Sequence, residues 1–180
     1  MKTSRRILLT AATLAALTPR LSEAQPPQEN PMTTHTYHDA ILHYRDNGKT
    51  DAPALLLLHG GLGTAADDFA PLLPRLHPHY RVIENDTRGH GQSTRGSVPL
   101  TYAQIAADAK HLIDTLRLNT YHILGFSDGG TAAYHLALND ERVQSVLTIG
   151  ANWHSSQIEP ARDMYENLTP DFLREHMSAQ

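Results

Sequence analysis

The chain has 180 residues, 40% of them apolar and 19% charged, with a formal net charge of −4 and no cysteine. That is enough chain for one domain with a real core, and it excludes disulfides and a cysteine nucleophile. No long run of one charge sign offers a surface for nucleic acid or for an anionic membrane. The twelve histidines are scattered and show no metal-motif spacing, so no protein-bound metal is expected.

Lys2, Arg5 and Arg6, the apolar stretch Ile7 to Leu17, and Ser22-Glu23-Ala24 have the order of an export signal over residues 1–24. The apolar stretch is too short for stable membrane insertion once the signal is removed. Ser4-Arg5-Arg6-Ile7-Leu8-Leu9 resembles a twin-arginine signal. A periplasmic or secreted location is the expectation, or a cytoplasmic one if Met32 is the true start. Residues 25–35, with the polar, proline-rich QPPQENP, read as a linker. The core is expected over 36–154.

From Thr36 the chain alternates into Ala40-Ile41-Leu42-His43-Tyr44 and turns at Asp46-Asn47-Gly48, a strand with room for a partner just before it. Ala54 to Leu58, ALLLL, is continuously apolar and ends at His59-Gly60-Gly61. Such a run suits a strand buried on both faces. Phe69, Leu72, Leu73 and Leu76 give helical spacing over Asp67 to Leu76. Arg81-Val82-Ile83 is the next strand, followed by the loop Asn85 to Ser93, in which Asp86 and Arg88 are expected to pair and His90 to serve a structural turn. Thr101 with Gln104 has the form of a capping box, and Ile105, Ala109, Leu112, Ile113 and Leu116 supply the apolar stripe behind it. Tyr121 to Leu124 is a strand, Gly129 to Leu138 a small-residue helix, and Val143 to Ile149 a strand. Residues 155–180 are polar with helical spacing, broken at Pro170.

Strands alternating with helices predict an α/β protein with a mostly parallel sheet and flanking helices. Chemistry in such sheets gathers at the carboxyl ends of the strands. The loops after Leu58, Ile83 and Leu124 therefore carry the candidates. Gly125-Phe126-Ser127-Asp128-Gly129 matches G-x-S-x-G between strand and helix, where a nucleophile sits on a strained turn and only small neighbours avoid collision. Ser127 is the candidate nucleophile, a helix-capping serine the plainer alternative. The Asp128 amide at the helix N-terminus and the Gly61 amide in the first glycine loop are candidate donors to a developing oxyanion. His59 is expected to hold that loop by hydrogen bonds. Gly61-Leu62-Gly63 with Ala66 also approximates a dinucleotide fingerprint, without the usual acidic residue at the end of the next strand.

HGGLG, DTRGHGQS and GFSDGG, in that order and separation, resemble the α/β-hydrolase fold family. GFSDGG resembles in particular its branch of biphenyl hydrolase-like and valacyclovir-hydrolase-like esterases and lactonases. The resemblance implies an eight-stranded sheet, a Ser–His–acid triad, no cofactor, a small-molecule substrate and a helical cap beginning in residues 155–180. It implies a serine hydrolase acting on a small carboxylic ester, lactone or amide through an acyl-enzyme. A perhydrolase or haloperoxidase-like activity is an alternative in the same fold. The chain departs from the family's order of serine, acid, histidine. The acid usually follows the seventh strand; after the sixth, where some hydrolases place it instead, stands Asn152, with Glu159 further on, and neither His154 nor His176 follows a further strand. The triad acid and histidine are thus unassigned. A catalytically incomplete N-terminal portion cut in the cap, or a partner-dependent half-domain, is the other expectation, and oligomeric state is left open.

Overall fold

The computed structural model describes residues 31–154, Thr169 and Asp171. β1 (Thr33–Tyr37) and β2 (Ala40–Asp46) form an antiparallel hairpin, with Tyr37 opposite Ala40 and Thr33 opposite Tyr44. β1 starts inside the segment read as linker. β3 (Ala54–Leu58), β4 (Arg81–Asn85), β5 (Tyr121–Phe126) and β6 (Val143–Ile149) are mutually parallel, and β2 joins β4 antiparallel. Between them lie α1 (Ala65–Phe69), α2 (Leu73–Leu76), α3 (Tyr102–Thr115) and α4 (Asp128–Asn139). The described strands run in the order β1-β2-β4-β3-β5-β6.

All five residues of β3 are buried, which is why its sequence shows no alternation. Leu56 and Leu58, with Ile83 of β4 and Ile123 of β5, face α3 and α4 through Ala109, Leu112, Ala132 and Leu136. Leu55 and Leu57, with Val82 and Leu124, face the opposite layer, where Ala65 and Phe69 of α1 pack beside Leu73 and Leu76. Side chains alternate across a strand, so one pentapeptide fills two cores. The central strands all point their carboxyl ends to one edge, which carries the glycine loops.

Two local expectations are corrected. The helix read over Asp67 to Leu76 is two short helices. Pro71 and Pro74 have no amide hydrogen to donate, so the run breaks after Phe69 and restarts with a proline in its first turn. The capping box at Thr101 is half formed: its side chain accepts from the Gln104 amide at 3.1 Å, but the Gln104 side chain donates to Asp108 at 2.8 Å instead of reaching back. The signal segment and nearly all of the cap region fall outside the described residues.

Candidate active site

The turn from β5 to α4 is a single residue. Ser127 has φ 50° and ψ −118°, a conformation that a side chain with a Cβ adopts at a cost of about 1–3 kcal/mol. Main-chain bonds hold it there: its amide donates to Ile149 O at 2.8 Å, and its carbonyl accepts from the amides of Gly130 at 3.0 Å and Thr131 at 3.2 Å. Ser127 occupies the N-cap position of α4, yet its side chain makes no cap hydrogen bond. The small residues around it answer to close approach. A Cβ on Gly125 would meet the Cα of Gly130 at 2.6 Å, and one on Gly129 would run into the carbonyl oxygens of Leu58 and His59 at the end of β3.

The first glycine loop is fixed by two imidazoles. His59 Nε2 accepts from the Thr87 amide at 2.9 Å, so the proton of the neutral ring is on Nδ1, which donates to Gly60 O at 2.6 Å. Burial holds the His59 ring below the usual histidine range, partly offset by that bond to Gly60. Both of its ring nitrogens are engaged, as expected of a loop-holding histidine. His90 Nε2 lies 2.6 Å from Gly61 O. The Gly60 amide donates to Asp68 Oδ2 at 2.8 Å. A trans peptide points its N–H opposite its C=O, so the Gly61 N–H turns away from His59. Among the described residues neither the Gly61 nor the Asp128 amide meets a hydrogen-bond acceptor.

Gly60 and Gly61 separate two recesses. One, of about 420 Å³, is lined by Ser127, Phe126, Leu62, Gly63, Asp67 and Asp68. The other, of about 460 Å³, is lined by His59, His90, Leu100, Tyr102, Ile105 and Asp128. The Asp128 carboxylate accepts from the Tyr102 hydroxyl at 2.8 Å and lies against the Cα of Gly61, where a side chain would collide with it.

Asp86 and Arg88 do not pair with each other. The Arg88 guanidinium, wholly buried, forms two 2.6 Å bonds to Asp108 of α3. Asp86 accepts from the Ala65 amide at 3.4 Å, and its carbonyl accepts from the Ser93 hydroxyl at 2.8 Å. The planar fork of arginine matches a carboxylate two bonds at a time, and the helix offers one that the loop's own geometry does not. The roles of Asp68, Tyr102, Thr87 and Asp108 carried no sequence signal, since each depends on a partner distant in the chain or on a neighbouring loop.

Asn152 O accepts from the Thr131 hydroxyl at 3.0 Å, and the His154 ring lies edge-on to Trp153. Glu159 and His176 lie outside the described residues. Among the described residues no group of three His, Asp or Glu side chains is placed to hold a metal.

Comparison with known proteins decides the family. A profile described as the alpha/beta hydrolase fold matches residues 53–179. The chain belongs to the alpha/beta hydrolase fold family. It is 30% identical over 124 residues to a protein of Agrobacterium fabrum named "Putative carbamate hydrolase RutD", covering 67% of this chain and 47% of that protein. It is 40% identical over 107 residues to the proline iminopeptidase PfmaB of Pestalotiopsis fici, covering 55% of this chain and 36% of that protein. The crystal structure of a hydrolase from Pseudomonas aeruginosa superposes with a TM-score of 0.64 at 27% identity, covering 85% of this chain and 64% of that one. The chain spans about half the length of the curated relatives it matches or less, as these shares of 47% and 36% show.

Proposed function

We propose that this chain supplies the nucleophile and the oxyanion donors of a serine hydrolase that cleaves a small carboxylic ester, lactone or amide through an acyl-enzyme. The observation that carries the reading is the strained elbow: a serine at φ 50° on a strand-to-helix turn, with a hydroxyl that does not cap the helix it precedes. Backbone strain of this kind persists where the surroundings enforce it, and it clusters at active sites. In the proposed reaction Ser127 Oγ attacks the acyl carbon, and its proton passes to a general base. The carbonyl oxygen takes up negative charge and is met by the amides of Gly61 and Asp128, a stabilisation typically worth about 3–4 kcal/mol per donor. Collapse expels the alcohol or amine with a proton, and water then releases the acid and restores the hydroxyl.

A second reading has an observation of its own. Among the described residues no imidazole hydrogen-bonds to the Ser127 hydroxyl. Under this reading the serine is activated only with further protein present. Hydrolysis of p-nitrophenyl acetate compares the two readings. A rate that falls to the buffer background in Ser127→Ala supports the serine hydrolase, and equal rates for both proteins refute it. Activity that emerges only when a longer gene product or a partner is present supports the second reading.

A further inference from the structure

We infer that His90 is a positioning residue for the oxyanion loop, one that holds the Gly61–Leu62 peptide in the orientation the proposed hydrolase needs. The inference rests on the serine hydrolase reading for its consequence, but its geometry stands apart from it. His90 Nε2 lies 2.6 Å from Gly61 O. A carbonyl oxygen only accepts, so Nε2 carries a proton and donates. Nδ1 lies 3.2 Å from both the Thr87 hydroxyl and Arg88 O; the much shorter contact to Gly61 O sets the neutral tautomer, which leaves Nδ1 as the acceptor facing the hydroxyl. The Thr87 hydroxyl sits between the two rings, 2.9 Å from His59 Nε2 and 3.2 Å from His90 Nδ1, while the Thr87 amide donates to His59 Nε2. His59, Thr87 and His90 thus form one chain of bonds that ends on two consecutive carbonyls, Gly60 O and Gly61 O.

The consequence follows from peptide planarity. With both carbonyls drawn toward the histidines, the N–H groups of Gly61 and Leu62 turn the opposite way. His59 and His90 line one recess, while Leu62 and Ser127 line the other. The carbonyls face the histidine side, and the amides are directed to the side that Ser127 occupies. A glycine peptide can flip at little steric cost. Flipping the Gly61–Leu62 peptide would swing a carbonyl oxygen toward Ser127, where it would repel a developing oxyanion. The bond from His90 opposes that flip. Its own loop is held by main-chain bonds, His90 N to Thr87 O at 3.0 Å and Ser93 N to His90 O at 2.9 Å, and by Arg88, which pairs with Asp108 of α3.

The test compares His90→Leu, which removes the donor, with His90→Gln, which can restore one. Three readouts are taken on the full chain, with thermal unfolding as the control for fold. First, imidazole ¹⁵N shifts of neutral His90 should show the proton on Nε2. Second, the Leu62 amide should change its hydrogen-exchange rate in His90→Leu and return toward wild type in His90→Gln. Third, the maximal rate of Ser127 phosphonylation by a fluorophosphonate should fall about tenfold in His90→Leu with unchanged probe affinity, and recover in His90→Gln. That is less than the roughly 10²–10³-fold expected from deleting an oxyanion donor outright. A proton on Nδ1, or a folded His90→Leu protein with wild-type exchange and labelling, overturns the inference. If wild type is not labelled but the first two readouts hold, the positioning of the loop stands and the serine hydrolase reading falls.

Discussion

Replacing Ser127 by glycine should make the protein more stable while abolishing its proposed reactivity. The residue sits at φ 50°, ψ −118°, where a Cβ costs about 1–3 kcal/mol. Glycine removes that cost. It also loses more backbone freedom on folding, which takes back about 0.5–1 kcal/mol. No cap hydrogen bond is lost, because the hydroxyl makes none. The net expectation is a gain of about 1 kcal/mol, or about 2–4 °C in melting temperature for a chain of this size. Ser127→Ala keeps the Cβ and therefore the strain, so it should stay within about 0.5 kcal/mol of wild type. Urea unfolding of the three proteins, with equal slopes, measures the difference. A glycine variant no more stable than the alanine variant would refute the claim that the elbow stores strain.

Gly129→Ala should lose about 2 kcal/mol in the same urea titration, since its Cβ meets the carbonyls of Leu58 and His59 and backbone cannot yield as a side chain can; wild-type stability would show that α4 is free to retreat from β3. Asp108→Ala leaves the Arg88 guanidinium buried without its partner and should cost about 3–5 kcal/mol by calorimetry or urea, a loss under about 1 kcal/mol being incompatible with a buried pair. Burial, reinforced by the neighbouring His111, pulls the His35 pKa down to about 4 from 6.5. The unfolded chain binds that proton first, so this contribution to stability is complete above pH 6.5 and is lost as pH falls toward 4. His35→Gln should flatten the melting-temperature profile in that window, and an unchanged slope would contradict the assignment. The hydrogen bonds from Arg142 hold Asp140 down to about 2 from 3.8, so the penalty of Asp140→Asn, measured against wild type, should shrink as pH falls from 3.8 to 2; a penalty constant across that range would contradict it.

The sheet was legible where burial leaves its mark on composition. ALLLL announces β3 because a strand covered on both faces needs apolar residues and stops at a glycine turn; VQSVLTI, none of whose residues is fully buried, reads as β6 through its β-branched residues. The elbow was legible because its steric demand falls on fixed neighbours: the collisions a Cβ would make at Gly125 and Gly129 are what G-x-S-x-G encodes. The helical spacing over Asp67 to Leu76 misleads because Pro71 and Pro74 interrupt a run whose four apolar residues are otherwise well placed. The pairing of Arg88 with Asp108 was hidden because Asp108 stands twenty positions further on, within α3. The roles of His59 and His90 were only partly legible. A histidine beside glycine is an ordinary sight, and only the position of a carbonyl 2.6 Å from one ring nitrogen fixes its proton and its task.

If Ser127 is the nucleophile of a hydrolase site, its hydroxyl takes a covalent phosphonyl group. Treating the purified chain with a fluorophosphonate and mapping the adduct by peptide mass spectrometry tests it most directly. One adduct is expected, on Ser127, and it disappears in Ser127→Ala. No adduct, or an adduct on another residue that survives Ser127→Ala, would contradict it.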